Sequence, residues 1–191
     1  MAIPKRIQFG LAQLGPKANK KAALSLILEA KDLPGEGWKR IDQRAWRAGI
    51  LGAPTPWSER ARASHNLVSF RSFEQVGASR WLFFQVNPLV SHEDAMAALA
   101  NHDLGSGLRN LRSEVTIVDS YPIEGLSVPG FEAVRELDQN TTGPRGASKA
   151  RSFYGVVGNT FILAAFSCLG DRWSWDEVHS IAQTQALRLK G

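Results

Sequence analysis

Between residues 32 and 49 the chain reads DLPGEGWKRIDQRAWRAG, with two tryptophans set among Lys39, Arg40, Arg44 and Arg47. Proteins that hold single-stranded nucleic acid combine a cationic groove with aromatic platforms on which bases stack, and these residue types supply both. The same letters arise where tryptophans enter a core while arginines stay in water or pair with carboxylates such as Asp42. The spacing of Trp38 and Trp46 puts them on one side of either a helix or a strand. The segment therefore reads as an edge of the domain, anchored by both rings, with its basic side open to a partner. The candidate ligand- or partner-binding residues are Trp38, Arg40, Arg44, Trp46 and Arg47, joined further along by Arg60 and Arg62.

Other chemistry is thinly represented. His92 and His102 fall on one expected helix about three turns apart, too far to close on one metal ion as histidines at i and i+4 do. No GxSxG elbow is present, and Cys168 ends an apolar run where a thiol is buried and inert. Asp176 and His179 lie three apart on the last expected helix, close enough to touch. The apolar stripe beside them reads as a boundary pair, although a hydrolase-type enzyme would have to be built on these two. The glycines of LGSGLR at 104 to 109 follow a helix and lead toward a strand. That order suits a helix C-cap at Gly105 and not a phosphate cradle, which opens a helix. No catalytic residue, metal site or cofactor is expected.

The elements that must position these residues are antiparallel. HNLVSFRSF and SRWLFFQVN alternate as strands joined around Glu74 to Ala78. SHEDAMAALANHD is a helix capped by Ser91. SEVTIVDSY and FEAVRELDQ read as strands, NTTGPRGAS as a long polar loop and GAPTPW as a loop. KARSFYGVV and TFILAAFSC form a hairpin across Gly158-Asn159, since a two-residue turn needs positive φ. The closing WSWDEVHSIAQTQALRLK carries a Ser174/Glu177 capping box, early acids and late bases, all in accord with the helix dipole. The expected fold is α+β: an antiparallel sheet of about six strands with helices packed on its faces. Ala22 to Leu28 is apolar but too short to be assigned by period. Domain organisation is expected to be a basic arm over 1–23 and a single domain over 24–191.

Bulk properties agree with a folded chain. Its 191 residues are 43% hydrophobic and 21% charged, globular values. A net charge of +5 is unevenly placed, with 14 Lys+Arg against 6 Asp+Glu in residues 1–80. Such a basic half attracts phosphates or acidic surfaces. One cysteine, no apolar run long enough to span a membrane and no small-residue cleavage site after the first basic residues give a cytoplasmic expectation.

LSLILEAKDLPGEGW, together with VVGNTFILAAFSC and WDEVHSIAQTQALRL, including Trp175, Gln185 and Arg188, resembles the entry segment, closing hairpin and last helix of small actinobacterial domains. LpqN-type lipoproteins and kinase-associated sensor domains are among these, with a PsbP-like α/β/α sandwich in some members. The resemblance spans residues 24 to 190. It implies binding or scaffolding and offers no catalytic residues; the signal peptide and paired cysteines of secreted relatives are not found here. The functional expectation is a non-catalytic module for a protein or small-molecule ligand, with an anion or single-stranded nucleic-acid binder as the alternative.

Overall fold

The computed structural model describes residues 17–48, 54–102, 116–123, 127–144, 146–169 and 173–190. Among them seven strands form one antiparallel sheet: β1 (Trp38–Arg47), β2 (Leu67–Gln75), β3 (Arg80–Pro88), β4 (Thr116–Ile123), β5 (Ala133–Gly143), β6 (Gly146–Val157) and β7 (Thr160–Cys168). The spatial order is β1-β2-β3-β7-β6-β5-β4. Two meanders, β1 to β3 and β4 to β7, are thus joined where β3 pairs antiparallel with β7. Helices α1 (Lys17–Ser25), α2 (Pro56–Ala63), α3 (His92–Asn101) and α4 (Trp175–Lys190) complete the described elements, with a 3-10 turn at Ala30–Asp32.

Each face of the sheet carries its own core. On the α4 face, Phe73, Leu82, Phe84, Phe153 and Phe166 meet Ile27, Leu28, Trp173 and Ile181. On the α3 face, Phe83, Tyr154, Phe161 and Leu163 meet Ala61 of α2 and Ala95 and Leu99 of α3. Because the central strands are covered on both sides, every residue of β7 is buried, whereas a strand with one wet face would alternate.

The two hairpins expected from the sequence are present, with Gly158 at φ +58 in the second turn. Ser91 caps α3 through the Asp94 amide, and Ser174 and Glu177 exchange the expected capping bonds. Three expectations change. NTTGPRGAS is not a long loop: β5 continues to Gly143 and β6 starts at Gly146, with Thr141 and Ser148 buried and bonded to each other. GAPTPW is not wholly loop, since Thr55 caps α2 and Pro56 opens it, a position that suits a residue lacking an N–H. The seventh strand is β1 itself, hidden in the sequence because its register shifts between Arg40 and Asp42. The expected glycine C-cap at Gly105 lies outside the described residues. At the N-terminal end α1 runs through residue 23, and Ser69 Oγ donates to the Ala23 carbonyl at 2.7 Å.

Candidate binding site at the edge of strand β1

The irregularity in β1 decides where its side chains go. A bulge inserts one residue and reverses the alternation beyond it, and Ile41, at the bulge, is 57% exposed. Trp38 and Arg40 pair with Gln75 and Phe73, whereas Asp42, Arg44 and Trp46 pair with Ser72, Phe70 and Val68. The two tryptophans therefore lie on opposite faces, correcting the expectation of a shared side. Trp38 stacks on Trp173 with ring centroids 5.7 Å apart and donates its indole N–H to the Pro34 carbonyl. Trp46 packs toward Phe70 on the α3 face.

The basic residues are dispersed with them. Arg44 pairs with Asp42 at 2.7 Å, on the α3 face. Arg47 is opposite Leu67 at the far end of the strand. Arg60 is bound to the buried Asp94 of α3, through Nε at 3.1 and 3.2 Å and through Nη2. That guanidinium holds the Asp94 carboxyl below its ordinary range, with burial acting against it. Arg62 is exposed on α2. By register Arg40 and Arg47 share the α4 face but stand far apart along β1, while Arg44 and Arg60 lie on the α3 side, so among the described residues the five expected arginines form no continuous cationic track of the kind a nucleic-acid strand requires.

What surrounds Arg40 is a different constellation. Arg71, in the middle of β2, is opposite Gln43 and on the α4 face, yet only 5% exposed. Its Nη1 donates to the carbonyls of Ile27 and Leu28, both at 2.8 Å, and its Nε reaches Gln43 Oε1 at 3.3 Å. Arg40 Nη1 donates to the same Gln43 oxygen at 3.0 Å. Burial lowers the Arg71 pKa from its ordinary value, Glu29 opposing, but a guanidinium stays charged at any physiological pH. Among the described residues neither Arg40 nor Arg71 makes an ion pair, and both line an open recess of about 260 Å³ together with Glu29, Ala30 and Lys31.

The C-terminal helix holds in place the segment whose residues 29–31 line this recess. Gln185, fully buried, donates to the Leu26 carbonyl at 2.7 Å and accepts from the Leu28 amide at 3.0 Å. Arg188 donates from Nε to the Ser25 carbonyl at 2.9 Å and from Nη1 to Asp32, with Glu29 3.6 Å from its Nη2. The residues through which the sequence resembles other domains, Gln185 and Arg188 with LILEAKD, are thus the two halves of one contact.

Further along α4 a second polar cluster meets β5 and β6. His179 Nε2 lies 2.7 Å from Glu136 Oε1, and Arg151 lies 3.0 Å from Asp138 with its guanidinium over the Trp175 ring at 4.4 Å. The side chain that His179 meets is Glu136, 43 residues away, while Asp176 is exposed. The pair anticipated for hydrolytic chemistry is therefore not assembled. Among the described residues no three His, Cys, Asp or Glu side chains gather as a metal site needs, and no helix is long and apolar enough to cross a membrane. Arg71 is not among the residues the sequence singles out, although the alternation of HNLVSFRSF puts it on one side of a strand with Ser69 and Phe73, the signal of a cation drawn into a core.

No protein-family model matches the chain, and no curated protein matches its sequence. Among solved structures, the extracellular domain of PknH from Mycobacterium tuberculosis superposes with a TM-score of 0.55 at 10% identity, covering 94% of this chain and 100% of that one. An uncharacterised protein of Mycobacterium smegmatis, the Rv0999 orthologue, gives a TM-score of 0.47 at 5% identity, over 82% of this chain and 91% of that one. The resemblance to small actinobacterial domains holds at the level of the fold, while a PsbP relationship finds no support among these matches. The cytoplasmic expectation is overturned: the fold occurs as an extracellular domain. A single cysteine does not argue otherwise, since the two layered cores, and not disulfides, hold these strands.

Proposed function

We propose that the protein is a non-catalytic binding module of the extracellular type, and that it takes its ligand at the β1 edge, in the recess between that strand and the 3-10 turn. The observation that carries this reading is Arg71, a buried cation that makes no ion pair among the described residues and opens onto solvent-accessible space. Buried charges in folded proteins are paired or serve a site, because desolvating them costs several kcal/mol. The fold shared with an extracellular domain supports the setting. The dispersal of Arg40, Arg44, Arg47, Arg60 and Arg62 speaks against nucleic acid as the partner.

A ligand library screened by thermal shift, with hits located by amide chemical shifts, tests this. At a concentration 100-fold above Kd a ligand adds about 2.7 kcal/mol, a Tm rise of roughly 5–10 °C for a chain of this size. Perturbed amides should cluster at residues 29–31 and 40–43. Hits confined to the Glu136–His179 side of α4 would refute the assignment. So would turnover of a hydrolase panel that one polar substitution abolishes.

A further inference from the structure

Resting on the reading of the β1 edge as the binding site, we propose that the recess receives an oxyanion, the phosphate or carboxylate group of a larger ligand, held by Arg71, Arg40 and Lys31. The charges around it do not balance. Asp32 is taken by Arg188, and Glu29 lies between Lys31 and Arg188 at 3.6 Å from each. Arg40 and Arg71 share one side-chain acceptor, the neutral Gln43 Oε1, and the other acceptors of Arg71 are two uncharged main-chain carbonyls. Two guanidinium groups competing for a single amide oxygen leave N–H donors free for a group with several acceptor oxygens, and planar guanidinium forks match phosphate and carboxylate geometry.

The depth of Arg71 gives the site its specificity. Its Nη1 is fixed by two main-chain carbonyls and its Nε by Gln43, so the charge cannot swing out to water as a surface arginine would. A donor already oriented loses little conformational freedom when the ligand arrives. Lys31, whose side chain is 74% exposed, is free to turn from Glu29 toward the ligand, because an exposed pair of this kind contributes about 0–1 kcal/mol at most. A volume of about 260 Å³ suits an anionic group with its first attached atoms and not a whole ligand, since sites that enclose drug-sized molecules run from about 300 to 1,000 Å³. The remainder of the ligand would lie along the free edge of β1, past the exposed bulge residue Ile41.

The test is titration of the full chain with sodium phosphate and, separately, sodium acetate, at ionic strength held constant with chloride. The readouts are the Arg71 Nε–Hε resonance and the backbone amides. Saturable shifts at Arg71, Lys31 and Gln43 are expected, and phosphate against acetate affinity identifies the group the site prefers. Arg40→Gln and Lys31→Gln alter exposed side chains and leave the fold intact; each should weaken binding by at least about tenfold, the worth of one charge-assisted hydrogen bond. Arg71→Lys keeps the charge and removes the fork, and should weaken binding more than either. Linear shifts spread equally over Arg44 and Arg62, or equal affinity in Arg40→Gln, would overturn the proposal. If uncharged ligands bind at residues 29–31 and 40–43 while both anions are silent, the oxyanion assignment fails and the binding site stands. If ligands perturb only the α4–β5 side, both fail.

Discussion

Glu136 on β5 is a carboxyl held inside the α4 face, 1% exposed. One carboxyl oxygen is bonded to His179, and the other is buried with no hydrogen-bond partner among the described residues. Burial pushes its carboxyl above the ordinary range, with His179 the main opposing influence and Arg151 a smaller one. A carboxyl whose folded-state pKa is raised binds its proton more tightly when folded. Its contribution to stability is therefore full below the ordinary value and is lost as pH rises through the raised one. Asp94 and Glu177, both lowered, act in the opposite sense and lose their contributions as pH falls. The prediction concerns a difference: denaturation midpoints of the wild type and Glu136→Gln, measured from about pH 4 to 8, should diverge, the variant gaining relative stability as pH climbs. Parallel profiles would mean that Glu136 does not titrate in the folded state above its unfolded value. Neither this residue nor Arg71 was legible in the sequence as a buried charge. FEAVRELDQ reads as a strand whose alternation reverses phase at Val134 and Arg135, which leaves the side of Glu136 undecided, and the acceptors that hold Arg71 are contributed by residues 44 and 43 positions away.

At the scale of elements, what could be read is what repeats without interruption. The β2–β3 and β6–β7 hairpins announce themselves because alternation and turn chemistry agree, and α4 because its cap, stripe and terminal charges agree. Strand β1 could not be read this way: the bulge at Ile41 makes WKRIDQRAWR alternate in one phase before it and in the other after. The bulge is also what delivers one tryptophan to each core. Deleting Ile41 should restore a single phase and force Trp38 or Trp46 to the wrong face. Expelling a large aromatic costs about 3 kcal/mol, so Tm should fall by roughly 6–12 °C. Ile41→Ala keeps the bulge and changes only an exposed side chain, and should stay within about 0.5 kcal/mol of the wild type. Equal thermal stability of the deletion and the alanine variant would show that the bulge does not set the orientation of the tryptophans.

Across the whole molecule the first and last elements depend on each other. Leu26 to Asp32 lies between the α4 residues Gln185 and Arg188 on one side and Arg71 on the other, so one short stretch of main chain connects the C-terminal helix to the recess. Leu28 joins them directly: its amide is held by Gln185 and its carbonyl by Arg71. Gln185→Leu keeps the side chain's bulk but strands the Leu28 amide and the Leu26 carbonyl, each a loss of about 1–3 kcal/mol when buried and unmet. Stability should fall, and the amides of residues 26 to 32 should exchange faster than those of β6 and β7, because the segment opens before the sheet does. Anion affinity should drop too, although the substitution touches no group that lines the recess. The recess is competent only in the fraction of molecules whose segment is docked, and apparent affinity falls with that fraction. If Gln185→Leu lowers stability while residues 26 to 32 exchange in step with β6 and β7, the segment does not move independently of the sheet. Coupling between α4 and the β1 edge would then be refuted.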